Sequence, residues 1–370
     1  MVYDGQMRLV FAILPLVACG DGKSASPDAR VIDSIPIDAP DPRCFASGTF
    51  AFCLAAEPTA PRTLAGTIDT TACVDGEVLA LGGVDVCVVA GSSVDVGAVV
   101  IARGDKPLVI ASAGDLRITA LLDASTRTIA GAGGDPAQCA TTVDGAAGTN
   151  AGAGGAGGSF GSVGGAGGAG FSGETPATAA AAPVTAPSSV LRGGCRGGAG
   201  GRVNGGLGAG GGGGGALMLV ARGTVGLGSG AIVNASGSAG NGGAAPSGGG
   251  GAGGSGGMIV VHGTGLVVDP AARVIANGGG AGGGANSTDN GTAGMYPDPS
   301  KPLIPAPGDP SFLNNRSPGG HGAAGPTAAS GGGQGVLGGG GGGGGLGQIR
   351  VLRPNAFSFP AGSISPAPTD

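Results

Sequence analysis

Seven cysteines carry most of the chemistry open to this chain. Cys19 stands apart, at the end of an apolar run. Cys44, Cys53, Cys73, Cys87, Cys139 and Cys195 leave an even count, which in an exported chain implies disulfides of open connectivity. Sequence neighbours suggest Cys44–Cys53, Cys73–Cys87 and Cys139–Cys195. The last would cinch a long glycine-rich stretch, and closing long loops removes most denatured-state entropy. A metal site is the rival reading. With no C-x-x-C and only His262 and His321 to assist, neither a metal nor a cofactor is expected.

Other chemical residues are scattered. Asp75, Asp85, Asp95, Asp105 and Asp115 fall at a ten-residue spacing. If two such blocks made one coil, alternate aspartates would stack about 4.8 Å apart, a place for calcium. The blocks lack the backbone-rich G-G-x-G-x-D-x-U-x calcium pattern, so turn aspartates facing water are the favoured reading. His262 and His321 could each act as a base, but no partner is identifiable for either. Arg117, Arg222 and Arg273 are the few charges on the apolar repeats. Gly157-Gly158-Ser159-Phe160-Gly161 satisfies G-x-S-x-G, yet no helix can follow such a run. Gly22-Lys23-Ser24 lacks the first glycine of a phosphate loop, and the many GxGxxG matches lack a βαβ unit. Asn234, Asn286 and Asn290 begin glycosylation sequons. The segment from Met295 to Arg316, proline-rich and irregular, reads as a surface crossing with room for a partner contact.

The elements that must position these groups are unusual in composition. Of 370 residues, 89 are glycine, charged residues are 11% and aromatics 3%, with no Trp. Any core must therefore come from Val, Ile, Leu and Ala. Low charge argues against disorder by repulsion, and so much glycine against ordinary packing. A net charge of −5 and the absence of a basic patch exclude a nucleic-acid partner. Leu9 to Ala18 is an apolar run behind Arg8, too short to span a bilayer but suited to a signal-peptide core.

Leu16-Val17-Ala18-Cys19 resembles the lipobox of bacterial lipoproteins. The resemblance implies a signal peptide over residues 1–18 and diacylglycerol on Cys19, hence a membrane partner through a lipid anchor. Gly20 follows where an inner-membrane retention signal would carry Asp, which implies the outer membrane. Residues 19–43 are rich in Asp and Pro and read as a solvated tether.

Four units resemble one another: Leu108 to Ser125, Leu217 to Gly237, Met258 to Gly279 and Gln348 to Pro366. Each shows three short apolar runs separated by small-residue turns. Units that cannot close a core alone must stack. The expected fold is all-β: a right-handed parallel β-helix of coils of about 20 residues with long glycine-rich loops. In that arrangement Val220, Val225 and Ile232 would stack on Val261, Leu266 and Val274. The organisation follows: disulfide-bearing β coils over 44–125, a glycine-rich insertion over 126–215, and central coils over 216–279. A glycine- and proline-rich insertion covers 280–347, and a last coil with a tail covers 348–370.

Glycine recurs at every third position from Gly152 through Gly173. That period with one bare face is the demand of a polyproline-II-like helix. Proline is too rare at the intervening sites for collagen. Two alternatives remain, a flexible coil or a bundle of polyglycine-type helices bonded to one another. The tracts resemble those of polyglycine-helix-bearing surface proteins, such as some phage tail-fibre tips. An Ala-to-Ser change within this tract is expected to be nearly silent. Without Trp for sugar stacking, catalysis is not expected. The expected role is that of a lipid-anchored cell-surface protein, structural or adhesive, with an unknown surface or matrix ligand. The alternative is a carbohydrate-active enzyme, a polysaccharide lyase or hydrolase of β-helix type.

Overall fold

The computed structural model describes residues 41–45, 48–139, 142–171, 175–179, 182, 188–202, 206–310, 316–352 and 358–369. The expected signal peptide, Cys19 and nearly all of the tether lie outside these residues. The described body, within the compact unit Pro42–Asp370, is mostly β, with one 3-10 turn at Gly48–Phe50. None of its helices is long and apolar enough to cross a membrane.

Short apolar runs of β-branched residues form the strands, and small-residue turns end them. An N-terminal hairpin joins β1 (Cys44–Phe45) to β2 (Phe52–Cys53). Sheet I holds β3 (Arg62–Thr63), β7 (Val94–Val96), β10 (Leu116–Ile118), β13 (Thr224–Leu227) and β16 (Gly265–Val268), in that spatial order. Sheet II holds β4 (Gly66–Asp69), β8 (Val100–Arg103), β11 (Leu121–Asp123), β14 (Ile232–Asn234), β17 (Arg273–Ile275) and β19 (Ile364–Ser365). Sheet III holds β5 (Glu77–Leu81), β6 (Val84–Gly91), β9 (Leu108–Ser112), β12 (Ala216–Ala221), β15 (Met258–His262) and β18 (Gln348–Leu352).

The three sheets share one core, into which Leu116, Leu122, Ile110, Leu219, Val225 and Val233 point with no measurable exposure. Sheet III is buried on its other face too. There Val109, Met218 and Val260 meet Phe45, Phe50 and Phe52 of the N-terminal hairpin segment, with Phe160 and Leu191. That double burial is why its strands read as unbroken apolar runs.

The expected right-handed parallel β-helix of roughly 20-residue coils is not what the chain forms. Sheet III is mixed, because β5 runs antiparallel to β6. The repeat is not constant either: Leu108 pairs with Leu217, and Ile259 with Ile349. The body is three strand layers on a shared core, with the glycine tracts packed beside them. Nor are those tracts loops.

Register differs from expectation in two places. Val225 pairs with Leu266, but Val220 pairs with His262 and Ile232 with Arg273. It is Leu219 that meets Val261, and Val233 that meets Val274. A slip of one residue turns a side chain to the opposite face, so Ile232 is half-buried outside the core while Val233 lies within it.

The glycine tracts form a hydrogen-bonded lattice, which decides between coil and bundle. Segment 248–257 shows the rule. Gly249, Ala252 and Ser255 donate to Gly201, Gly198 and Cys195, and Gly250, Gly253 and Gly256 donate to Gly339, Gly342 and Gly345. Gly251, Gly254 and Gly257 donate to Asn241, Ser238 and Ala235. Its carbonyls accept in the same rotation from segments 155–158, 208–214 and 279–285. One tract thus has six neighbours, three for its donors and three for its acceptors, as a three-residue helical period requires. Glycine is needed here for close approach: a Cβ on Gly251 would run into the Ala209 carbonyl. Ala153 and Ala156 are buried in this lattice, whereas Ala166 is exposed. A serine at Ala153 or Ala156 would bury a hydroxyl, so the change is expected to be silent at the exposed Ala166 but not at these two positions.

Candidate interaction surface

Disulfides join Cys44 to Cys53, Cys73 to Cys87 and Cys139 to Cys195. The first closes the N-terminal hairpin, which two arginines hold down. Arg222 stacks on Phe45 at 5.1 Å and donates to the Cys44 carbonyl at 3.0 Å. Arg350 stacks on Phe50 at 5.4 Å. Of the other arginines on the repeats, Arg117 lies 3.9 Å from Asp95, and Arg273 donates to the carbonyls of Pro270 and Ala272.

The aspartates do not stack. Asp95 stands opposite Arg117, Asp115 accepts the Thr224 amide at 2.7 Å, and Asp105 lies beside Lys106. Two pairing partners of one strand are set by register rather than by the ten-residue spacing. Among the described residues no three of His, Cys, Asp or Glu gather closely enough to hold a metal. His262 ends β15, and burial pushes its imidazole below the ordinary value, with the Leu352 backbone acting in the opposite sense. Its Nδ1 is buried without a hydrogen-bond partner among the described residues. His321 lies in the lattice, its amide bonded to Ser330. The structure does not bring the two histidines to one site. The sequon residues Asn234 and Asn286 are buried; Asn234 donates to Asp123 at 3.1 Å, inside the junction between sheet II and the lattice.

Besides a shallow cleft of about 370 Å³ between Leu54, Arg62 and Glu77, two more mark the strand body. One, of about 370 Å³, runs over the outer face of sheet I between Asp115, Thr224 and Asp269, floored by Gly226. The other, of about 470 Å³, lies between Asp85, Lys106, Gln138 and Arg192. Both carboxylates of the first are engaged in turns, Asp115 with Thr224 and Asp269 with the Ala271 amide.

The most distinctive surface is the loop from Met295 to Pro307. Five prolines, at 297, 299, 302, 305 and 307, fix its backbone. It is closed at its base, where the Met295 amide donates to the Pro307 carbonyl. Pro297 and Pro302 are buried, and Asn277 grips the Pro302 carbonyl at 2.7 Å. Asp298 accepts from Ser300 twice and pairs with Lys301 at 3.2 Å; the Ser300 bonds hold its carboxyl below the usual range. With the backbone so fixed, the large apolar side chains point outward. Met295 is 60% exposed, Ile304 57%, Leu303 42% and Tyr296 40%. Arg127 stacks on Tyr296 at 5.7 Å, which brings the turn bearing Ile129, itself 65% exposed, beside the loop. Exposed apolar side chains grouped in this way mark contact surfaces.

Sequence reasoning singled out this segment but not Ile129, which joins it only through the fold. It also missed Arg192. The signal there was its spacing, three residues before Cys195, which a three-residue period puts on one side of the glycine-rich segment. Compared with protein-family models, with curated proteins and with solved structures, the chain matches none.

Proposed function

We propose that the chain is a lipid-anchored cell-surface protein with a structural or adhesive role, acting by binding rather than by catalysis. The observation that carries this reading is a rigid glycine lattice holding an outward-facing apolar loop, Met295 to Pro307. A lattice whose backbone amides are bonded to one another has little mobility, so it supports a contact surface at low entropic cost on binding. Three disulfides suit an oxidising compartment outside the cytoplasm. Leu16-Val17-Ala18-Cys19 and the Asp/Pro-rich segment behind it supply the anchor and the tether. The ligand class that fits the loop is an apolar or aromatic patch on a surface or matrix partner.

The test is whole-cell protease shaving with fractionation, on the wild type and Cys19→Ser. Wild type should take lipid label, sit in the outer-membrane fraction and be cut on intact cells. Cys19→Ser should lose the label and leave the membrane. An unlabelled wild type that stays in the membrane would end the lipoprotein reading, and complete protection from protease would end the surface one.

A further inference from the structure

Arg192 is an unusual cation. It is 6% exposed, yet among the described residues no carboxylate lies within ion-pair reach of it. Its guanidinium donates to the carbonyls of Gly193 at 3.2 Å and Gln138 at 3.3 Å, and stacks on Phe160 at 4.7 Å. The remaining donor, Nη2, points at a disulfide: it lies 3.1 Å from Cys139 Sγ and 2.9 Å from Cys195 Sγ. Neither of the other two disulfides has a cation on its sulfurs among the described residues. A buried charge without a counter-charge is costly. The anion this one faces is the thiolate that reduction would create.

We propose that Cys139–Cys195 is a reversible redox site that takes an external dithiol as its co-substrate, with Arg192 positioned to hold the leaving thiolate. The two sulfurs differ in access: Cys139 is half-buried, while Cys195 is 8% exposed. The attacking thiolate forms a bond to Cys139 Sγ, the Cys139–Cys195 bond breaks, and the electron pair stays on Cys195 Sγ against the guanidinium. The second thiol of the reductant, deprotonated to water, then attacks its own mixed-disulfide sulfur and releases Cys139, which takes a proton from solvent. The dithiol loses two electrons and the protein disulfide gains them. A stabilised leaving thiolate makes both the rate and the equilibrium of this exchange more favourable. Arg192 also ties Gln138 to Gly193 and Phe160, so the segments bridged by the disulfide stay joined when it opens.

The test equilibrates the full chain in dithiothreitol redox buffers and quantifies each disulfide by alkylation and peptide mapping. In Arg192→Met, half-reduction of Cys139–Cys195 should need a ratio of reduced to oxidised dithiothreitol at least tenfold higher, a shift of about 30 mV. Cys44–Cys53 and Cys73–Cys87 should stay unchanged, and Arg192→Lys should fall between. A purely structural loss would loosen the bridged segments and move half-reduction the opposite way. An unshifted midpoint, or one moving toward easier reduction, overturns the proposal. Should Arg192→Met fail to fold, wild type with limiting glutathione decides. Glutathione on Cys139 with Cys195 open to alkylation supports the assignment, and glutathione on Cys195, or on neither, overturns it.

Discussion

Gly251 lies at the centre of the lattice, and replacing it by alanine tests close packing directly. A Cβ there would collide with the Ala209 carbonyl of the neighbouring segment. The two backbones must separate, and three bonds tie them: Gly208 to Gly249, Gly211 to Ala252 and Gly214 to Ser255, at 2.8 to 2.9 Å. A buried polar group left without its partner costs about 1–3 kcal/mol. Losing the nearer two bonds therefore costs about 2–6 kcal/mol. Alanine returns only about 0.4–1 kcal/mol by restricting the unfolded chain. The control is Gly226→Ala in β13, where the nearest atom to a new Cβ is the Leu116 carbonyl at 3.9 Å. That variant should be neutral or gain about 0.4–1 kcal/mol. Urea unfolding followed by circular dichroism measures both, and hydrogen exchange should show lost protection at Gly208 and Gly211 in Gly251→Ala alone. Equal stability of the two variants would refute the close-packed lattice.

Register makes a second pair of variants informative. Val233→Asp puts an unpaired charge in the core and should unfold the body, whereas Ile232→Asp, opposite Arg273, should cost under about 1 kcal/mol; thermal melts distinguish them, and the reverse ranking would mean the register is shifted. Removing Cys139–Cys195 as a double alanine variant should cost about 4 kcal/mol from its sequence separation of 56, against about 3 kcal/mol for Cys44–Cys53 with its separation of 9; denaturant midpoints check the order. Burial raises the Asp135 carboxyl, with its bond from the Gly213 amide acting the other way. The folded state thus binds the proton more tightly than the unfolded one, so ionising Asp135 costs stability as pH rises above the ordinary value of 3.8. Asp135→Asn should be more stable than wild type at pH 7, with the gain vanishing below pH 3.8, as pH-dependent melts would show.

The strands were legible because Val, Ile and Leu runs too short for helices leave few alternatives, and the disulfides because each cysteine pairs with the next one along the chain, across 9, 14 and 56 residues. Register was harder. From Val225 to Ile232 the spacing matches that from Leu266 to Arg273, whereas the step from Val220 to Val225 is one residue longer than that from His262 to Leu266; placing the change after Val225 instead of before it misplaces both Val220 and Ile232. The lattice was half legible. A glycine at every third residue announces a bare face but does not name what lies against it. For Gly253 the amide's partner is Gly342, contributed by a segment far along the chain. The apolar loop shows the same limit, since Ile129 reaches Tyr296 only through Arg127.

Because amides along a tract address three different neighbours in rotation, the length of a tract is counted in threes. Deleting Gly253-Gly254-Ser255 would remove one rung from each of three ladders and leave the remaining donors aimed as before. Deleting Gly253 alone would turn everything after it by a third of a turn, so that Gly254, Ser255 and Gly256 would each present their amides to the wrong segment. Insertions and deletions here obey a phase, much as a coding sequence obeys a reading frame. Sequences that diverge from this one within the lattice should gain or lose glycine-rich residues in triplets.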